Sequence, residues 1–273
     1  MRQELNEKEL QLPESKNNEG QIVIVAGSAG SGKNYTIKNF TNADQKFKTL
    51  DVDDIKDMVL KSDKLYADFK RYLENKNSDL VDYPDSIIRK YSNLEIVSNE
   101  LHQFIVDKKL PQRKIDLFLK ANKKRGNLPN LIVNTTFGDT DSVKRKIDRF
   151  IDNGYKEENI HVIWVFSTLS EIMDNNRLRP RSENFNFIKK NYVNVFNNIY
   201  MEIMGESMSG IFNDYVQGNI WILINIKDNI KYYDNQKTVK DFIYFTIREN
   251  GKWNSRDMFN FTKFIAQSNM ELE

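Results

Sequence analysis

Short, continuous apolar runs recur along the chain, separated by longer stretches where apolar residues return every three to four positions. Ile22-Val-Ile-Val-Ala26, Leu131-Ile-Val133, Val162-Ile-Trp-Val-Phe166 and Ile220-Trp-Ile-Leu-Ile224 are β-branched or aromatic with no polar interruption. They predict strands over 21–26, 131–134, 162–166 and 220–224, buried on both sides as central parallel strands are. Phe47-Lys-Thr-Leu50 predicts a shorter strand, second in chain order. Tyr35, Ile37 and Phe40 mark a helix over 33–42. Val143, Ile147, Phe150 and Ile151 mark another, which stops at Asn153-Gly154. A helix follows the 162–166 strand to about Asn176, and Phe185, Ile188, Tyr192, Val195, Phe196 and Ile199 share a face of the next. Residues 54–126 read as mostly helical. There Ile87, Ile88, Tyr91, Leu94 and Val97 line one face and Leu117, Phe118 and Ala121 another, with Pro84 and Pro111 as punctuation. Two short helices, near 237–248 and 255–267, are expected to close the chain.

The first strand runs into Gly27-Ser-Ala-Gly30-Ser-Gly32-Lys33-Asn34-Tyr35, a phosphate-binding loop of the G-x-x-x-x-G-K type. Glycines at 27 and 32 let the backbone curl so that successive N–H groups face an anion. Lys33 adds a mobile cation for the outer phosphates, and the following helix offers its positive end. The hydroxyl residue that usually follows the lysine and holds Mg²⁺ is Asn34 here. With strands alternating with helices, the expected fold is α/β. It is a P-loop NTPase-type parallel five-stranded sheet with helices on both faces and a helical insertion, about 57–126, between strands two and three. Ligands in such sheets sit at the carboxyl ends of the strands.

Those ends carry further candidates. The loop after strand two holds Asp51, Asp53 and Asp54, acids that can orient an acceptor hydroxyl and take its proton, or cap the next helix. After the fourth strand and its helix come Arg177, Arg179 and Arg181, spaced to close over a triphosphate and neutralise charge in the transition state, or to form a solvated basic turn. Lys108, Lys109, Arg113, Lys114, Lys120, Lys123, Lys124 and Arg125 make a basic stretch that suits a nucleic-acid backbone, an acidic small substrate or plain solvation. Trp253, Phe259, Phe261 and Phe264 read as packing for the last helix or as a stacking surface for bases.

Composition narrows the chemistry. The 273 residues include no cysteine, which excludes disulfides, thiolate catalysis and cysteine-bound zinc. The only histidines, His102 and His161, are too few for a histidine-rich metal site and read as structural. A net charge of +2 argues against a whole-protein field that draws in nucleic acid. No apolar run approaches the ~18 residues that cross a bilayer, and the charged start lacks a signal-peptide core. A cytoplasmic protein without membrane association is expected. The richness in Asn, Lys, Ile, Tyr and Phe matches an AT-rich bacterial or viral genome, so single asparagines and lysines carry little weight.

Leu50-Asp-Val-Asp53-Asp54-Ile-Lys56 resembles the loop of polynucleotide 5′-kinases and zeta-toxin-type kinases, roughly I-N-x-D-x-[YF]-[RK]. The resemblance spans about 20–225 and implies a kinase domain over 20–230. A polar arm (1–19) precedes that domain, a lid (about 177–184) lies within it, and C-terminal helices (231–273) pack on its body. It implies ATP as donor with Mg²⁺, and an acceptor that is a nucleic acid, a nucleoside or a nucleotide sugar. By the same resemblance Asp53 is the general base and Lys56 steadies the acceptor. Asn134-Thr135-Thr136-Phe137-Gly138 matches the family's strand-end segment, with Thr135 at the substrate and Asn134 where an acid commonly helps hold Mg²⁺. Arg179 and Arg181 match the lid pattern, and Arg177 stands near the place of its first arginine. With Asn34 and Asn134 both uncharged, Mg²⁺ binding is expected to be weak or through water. A nucleotide-binding module with little or no transferase activity is the alternative. The acceptor and the oligomeric state are not encoded in any motif.

Overall fold

A computed structural model describes residues 10–13, 19–43, 47–50, 52–90, 95–123, 126–178, 185–226, 237–239 and 242–267. The chain divides into two compact units. One comprises Met1–Thr49, Asn122–Leu178 and Glu183–Glu273, the other Leu50–Ala121 with Arg179–Ser182.

The larger unit is built on a sheet whose strands are β1 (Ile22–Ala26), β2 (Lys48–Leu50), β3 (Leu131–Thr135), β4 (Ile160–Phe166), β5 (Ile220–Ile224), β6 (Lys237–Val239), β7 (Phe242–Glu249) and β8 (Lys252–Trp253). Their order is β2-β3-β1-β4-β5-β7-β6, with β8 on β7. β1 pairs in parallel with both β3 and β4, and β4 with β5. Every residue of β1, β4 and β5 is buried, which is why these segments read as unbroken apolar runs.

The sheet does not stop at the expected strands. β7 adds antiparallel to β5, and β6 and β8 add antiparallel to β7, so the sheet is mixed rather than parallel throughout. The helix expected over 237–248 is therefore strand. Ile243 to Ile247 are buried without a break, so no period-two alternation marks the segment.

Both faces are covered. On one, Val23, Val25, Ile163, Val165, Trp221 and Leu223 pack with Ile37 and Phe40 of helix α1 (Lys33–Phe40). Leu10 and Leu12 join that core, and the backbone N–H of Leu10 donates to the Phe40 carbonyl at 2.7 Å. This part of the arm expected at 1–19 is thus bound to the body, while 1–9 and 14–18 lie outside the described residues. The other face is aromatic. Trp164 meets Phe196 of the helix Phe185–Met204 at 5.8 Å between centroids and Phe261 of the helix Ser255–Gln267 at 5.5 Å. Phe261 and Phe264 are therefore packing residues, whereas Phe259 is exposed.

The smaller unit is helical. Its elements are α2 (Val52–Lys61), α3 (Asp63–Asn75), α4 (Asp85–Lys90), α5 (Glu95–Asp107) and α6 (Leu110–Lys123), all between β2 and β3 in sequence. Ile55, Val59, Phe69, Leu73, Ile88, Val97, Leu101 and Phe104 form its own core. Ser62 caps α3 by accepting from the Leu65 N–H at 3.4 Å. Tyr66 is buried against Arg89, whose guanidinium lies 4.0 Å from the ring centroid, and burial pushes its hydroxyl up to about 12. Of the apolar face expected from Ile87 to Val97, Ile87 and Ile88 lie in α4 and Val97 in α5, while Tyr91 and Leu94 lie outside the described residues. Leu117 of α6 is exposed and Leu119 is the buried residue, so the face expected there is turned. No described helix is long and apolar enough to cross a membrane.

Candidate nucleotide-binding site

The turn between β1 and α1 is shaped by two glycines. Gly32 sits at φ +84°, and a Cβ there would stand 2.5 Å from Asn225 Nδ2. A Cβ on Gly27 would stand 2.7 Å from the Val165 carbonyl oxygen. A side chain at either position would displace the neighbour that shapes the loop. Gly32 also begins α1, and no side chain caps that end, so the first N–H groups of the helix open onto the loop. Ser31 Oγ is buried and has no hydrogen-bond partner among the described residues.

Lys33 folds back over the loop. Its ammonium donates to the carbonyl oxygens of Gly27 at 2.7 Å and Ser28 at 2.9 Å. Asn34 and Tyr35 are exposed beyond it, and the Tyr35 ring meets Phe40 edge-on at 5.6 Å.

The parallel pairing of β1 with β3 brings the second candidate segment to the same strand end. Asn134 Nδ2 donates to Asn34 Oδ1 at 2.8 Å, joining the two positions where the motif places magnesium ligands. Thr135, half-buried, accepts the Phe137 N–H at 3.4 Å on its hydroxyl. Phe137 holds φ +60° with its ring fully buried, and its carbonyl accepts Asn198 Nδ2 at 3.1 Å.

A set of asparagines that no motif contains shapes the loop from outside. Asn225, directly after β5, donates from Nδ2 to the Ser31 carbonyl at 2.8 Å, and its own carbonyl accepts Ser167 Oγ at 2.6 Å. Asn175, in the helix Leu169–Arg177, donates to the Gly30 carbonyl at 3.2 Å. Asn191, in the helix Phe185–Met204, accepts the Ala29 N–H at 3.1 Å. The discounting of asparagine on compositional grounds hid these residues. Their positions just past a strand and on the helices Leu169–Arg177 and Phe185–Met204 were the available signal.

Arg177 ends the helix Leu169–Arg177, is exposed, and pairs with Asp174 at 3.3 Å. Arg179 and Arg181 lie outside the described residues. Asp53 and Lys56 belong to α2 of the smaller unit, where Lys56 is half-buried. The side chains of Asp51, Asp53 and Asp54 lie outside the described residues. Of the basic stretch, Lys108, Lys109, Arg113 and Lys120 are exposed and Lys114 is half-buried.

The donors near the loop do not make a magnesium site of the usual kind. Asn34 and Asn134 are neutral amides bonded to each other, and no group of three or more His, Cys, Asp or Glu able to hold a metal occurs among the described residues.

No protein-family model matches this chain, and no curated protein does. Solved structures do. The complex of AvrRxo1-ORF1 and ORF2 with ATP superposes with a TM-score of 0.50 at 11% identity, covering 90% of this chain and 63% of that one. A structure from the PezAT toxin–antitoxin system of Streptococcus pneumoniae gives 0.39 at 12% identity, covering 95% and 90%. The tunicamycin resistance protein of Deinococcus radiodurans gives 0.33 at 13% identity, covering 65% and 80%. The chain thus shares an α/β fold with the protein crystallised with ATP, and spans 63% of that protein's length.

Proposed function

We propose that this protein is an ATP-dependent kinase that transfers the γ-phosphoryl group to a hydroxyl of a nucleic acid, nucleoside or nucleotide-sugar acceptor. The observation that carries the reading is the loop itself: an uncapped helix end, glycines at positions with no room for a Cβ, and Lys33 gathered at the carboxyl end of β1. Backbone N–H groups and Lys33 bind the β- and γ-phosphates, with Lys33 exchanging the Gly27 and Ser28 carbonyls for phosphate oxygens. Asn225 and Asn175 hold the loop carbonyls outward, which keeps the N–H groups facing the anion.

In the reaction the acceptor oxygen forms a bond to the γ-phosphorus as the bond to the β–γ bridging oxygen breaks. ADP leaves, and the hydroxyl proton passes to the Asp53 carboxylate, with Lys56 and Thr135 orienting the acceptor. Arg177, Arg179 and Arg181 neutralise the charge that builds on the transferring group. Structural likeness to a protein crystallised with ATP supports ATP as donor.

The Asn34–Asn134 amide pair favours a second reading. Two neutral side chains where a hydroxyl and a carboxylate commonly stand suit a module that binds nucleotide and turns it over slowly or not at all.

One experiment separates the two. Labelled ATP is offered to 5′-hydroxyl DNA and RNA, hydroxymethylated DNA, nucleosides and nucleotide sugars. Label on one acceptor, lost in Asp53→Asn, establishes the kinase and names its substrate. Tight ATP binding with no labelled acceptor establishes the module.

A further inference from the structure

The opposite end of the sheet holds a cleft of ≈ 580 Å³, the size that takes a small organic ligand. Gln21 before β1, His161 in β4, Gly218 and Asn219 before β5, and Arg248 near the end of β7 line it, with Trp253 beside them.

Arg248 is 3% exposed. Its Nε donates to the Gly218 carbonyl at 2.9 Å and its Nη1 to the Phe212 carbonyl at 2.6 Å. The remaining Nη2 is buried with no hydrogen-bond partner. Among the described residues no carboxylate pairs with this guanidinium, and desolvation alone pulls it down to about 10, so it stays charged at neutral pH. A buried cation is ordinarily paired, because leaving it unpaired is costly. The two carbonyls explain how Arg248 ties β7 to neighbouring turns, but neither cancels its charge.

The other charged and titratable groups around the cleft do not cancel it either. Glu19 is engaged by Lys156, which also faces Glu158, so those acids have their own cation. His161 is neutral in this setting: Nδ1 accepts the Asn219 N–H at 2.8 Å, which leaves Nε2 to donate to Gln21 Oε1 at 2.8 Å. Arg248 lies 5.0 Å from the Trp253 ring centroid, and that indole is 38% exposed at the rim.

We propose that this cleft binds a small ligand bearing a carboxylate or phosphate, with its anionic end against the Arg248 guanidinium and its body beside Trp253. This site lies at the amino ends of β1, β4 and β5, away from the phosphate loop, and does not depend on the kinase reading.

The test uses the full chain carrying Lys33→Ala, so that binding at the phosphate loop is suppressed. Inorganic phosphate and succinate are titrated while the amide signals of Asn250 and Gly251 and the indole N–H of Trp253 are followed by NMR. Saturable shifts confined to these signals are expected with at least one anion below about 50 mM. Phosphate alone points to a phosphoester ligand, and succinate alone to a carboxylate. Asn250→Asp places a carboxylate on the rim without disturbing Arg248, at a φ of +49° that Asp tolerates. It is expected to weaken binding about 10-fold, and Arg248→Gln to abolish it if that variant folds. Absence of saturable shifts with both anions, or unchanged affinity in Asn250→Asp, overturns the proposal.

Discussion

The two ends of the same parallel strands solve opposite problems. At the carboxyl end, asparagine side chains are neutral and act on backbone: Asn225, Asn175 and Asn191 each engage the glycine loop, and the cation Lys33 donates to two loop carbonyls that it can exchange. At the amino end, ionisable side chains are themselves buried, with His161 and Arg248 each fixed by two hydrogen bonds. The difference shows where this fold keeps a charge available and where it locks one in.

Replacing the available charge has the largest expected effect. On the proposed kinase reading, Lys33→Ala should leave a folded protein whose phosphotransfer falls by at least about 10²–10³-fold, as losing a preorganised charge contact does. Retained activity in that variant would remove the carboxyl end from the chemistry.

The locked end is probed with acid. Burial, reinforced by the nearby Arg248, pulls His161 from 6.5 down to about 4. The folded state therefore favours the neutral ring. Its contribution is complete above the unfolded value near 6.5 and is lost as pH falls through the folded value near 4, up to about 3 kcal/mol. Urea melts of the wild type and His161→Gln from pH 7 to 4 should show their stability difference shrinking by that order. A pH-independent difference would mean the ring is not held neutral.

Gly32→Ala tests the loop's shape rather than its charge. With φ at +84° and Asn225 in the way, it should cost about 1–3 kcal/mol of stability and eliminate measurable ATP binding by calorimetry. The smallest effect is expected from Asn225→Ala, which frees the Ser31 carbonyl. ATP affinity should fall several-fold, about 1 kcal/mol, with the melting curve little changed. If Asn225→Ala weakened binding as much as Lys33→Ala, the asparagines would be ligand contacts rather than supports.

Much of this was legible in the chain because the signals were local. The buried strands β1, β4 and β5 announced themselves as apolar runs, and the glycine spacing marked the turn that follows β1. β7 was misread because its burial on both sides erased the alternation that identifies a strand. The supports of the loop were hidden for a different reason. Asn175, Asn191 and Asn225 reach loop atoms 145, 162 and 194 residues away in sequence, and their residue type is common in this chain. No short motif records a contact over that distance. The contact of Asn34 with Asn134 joins the start of α1 to β3, where strand register places Asn134 opposite Val25.

That amide pair also sets how the site responds to its surroundings. Neither side chain gains or loses a proton across the physiological range, so the joint between α1 and β3 presents the same electrical face throughout it. On the proposed kinase reading, a pH–rate profile would then report the acceptor, its base and the nucleotide, with this amide joint silent.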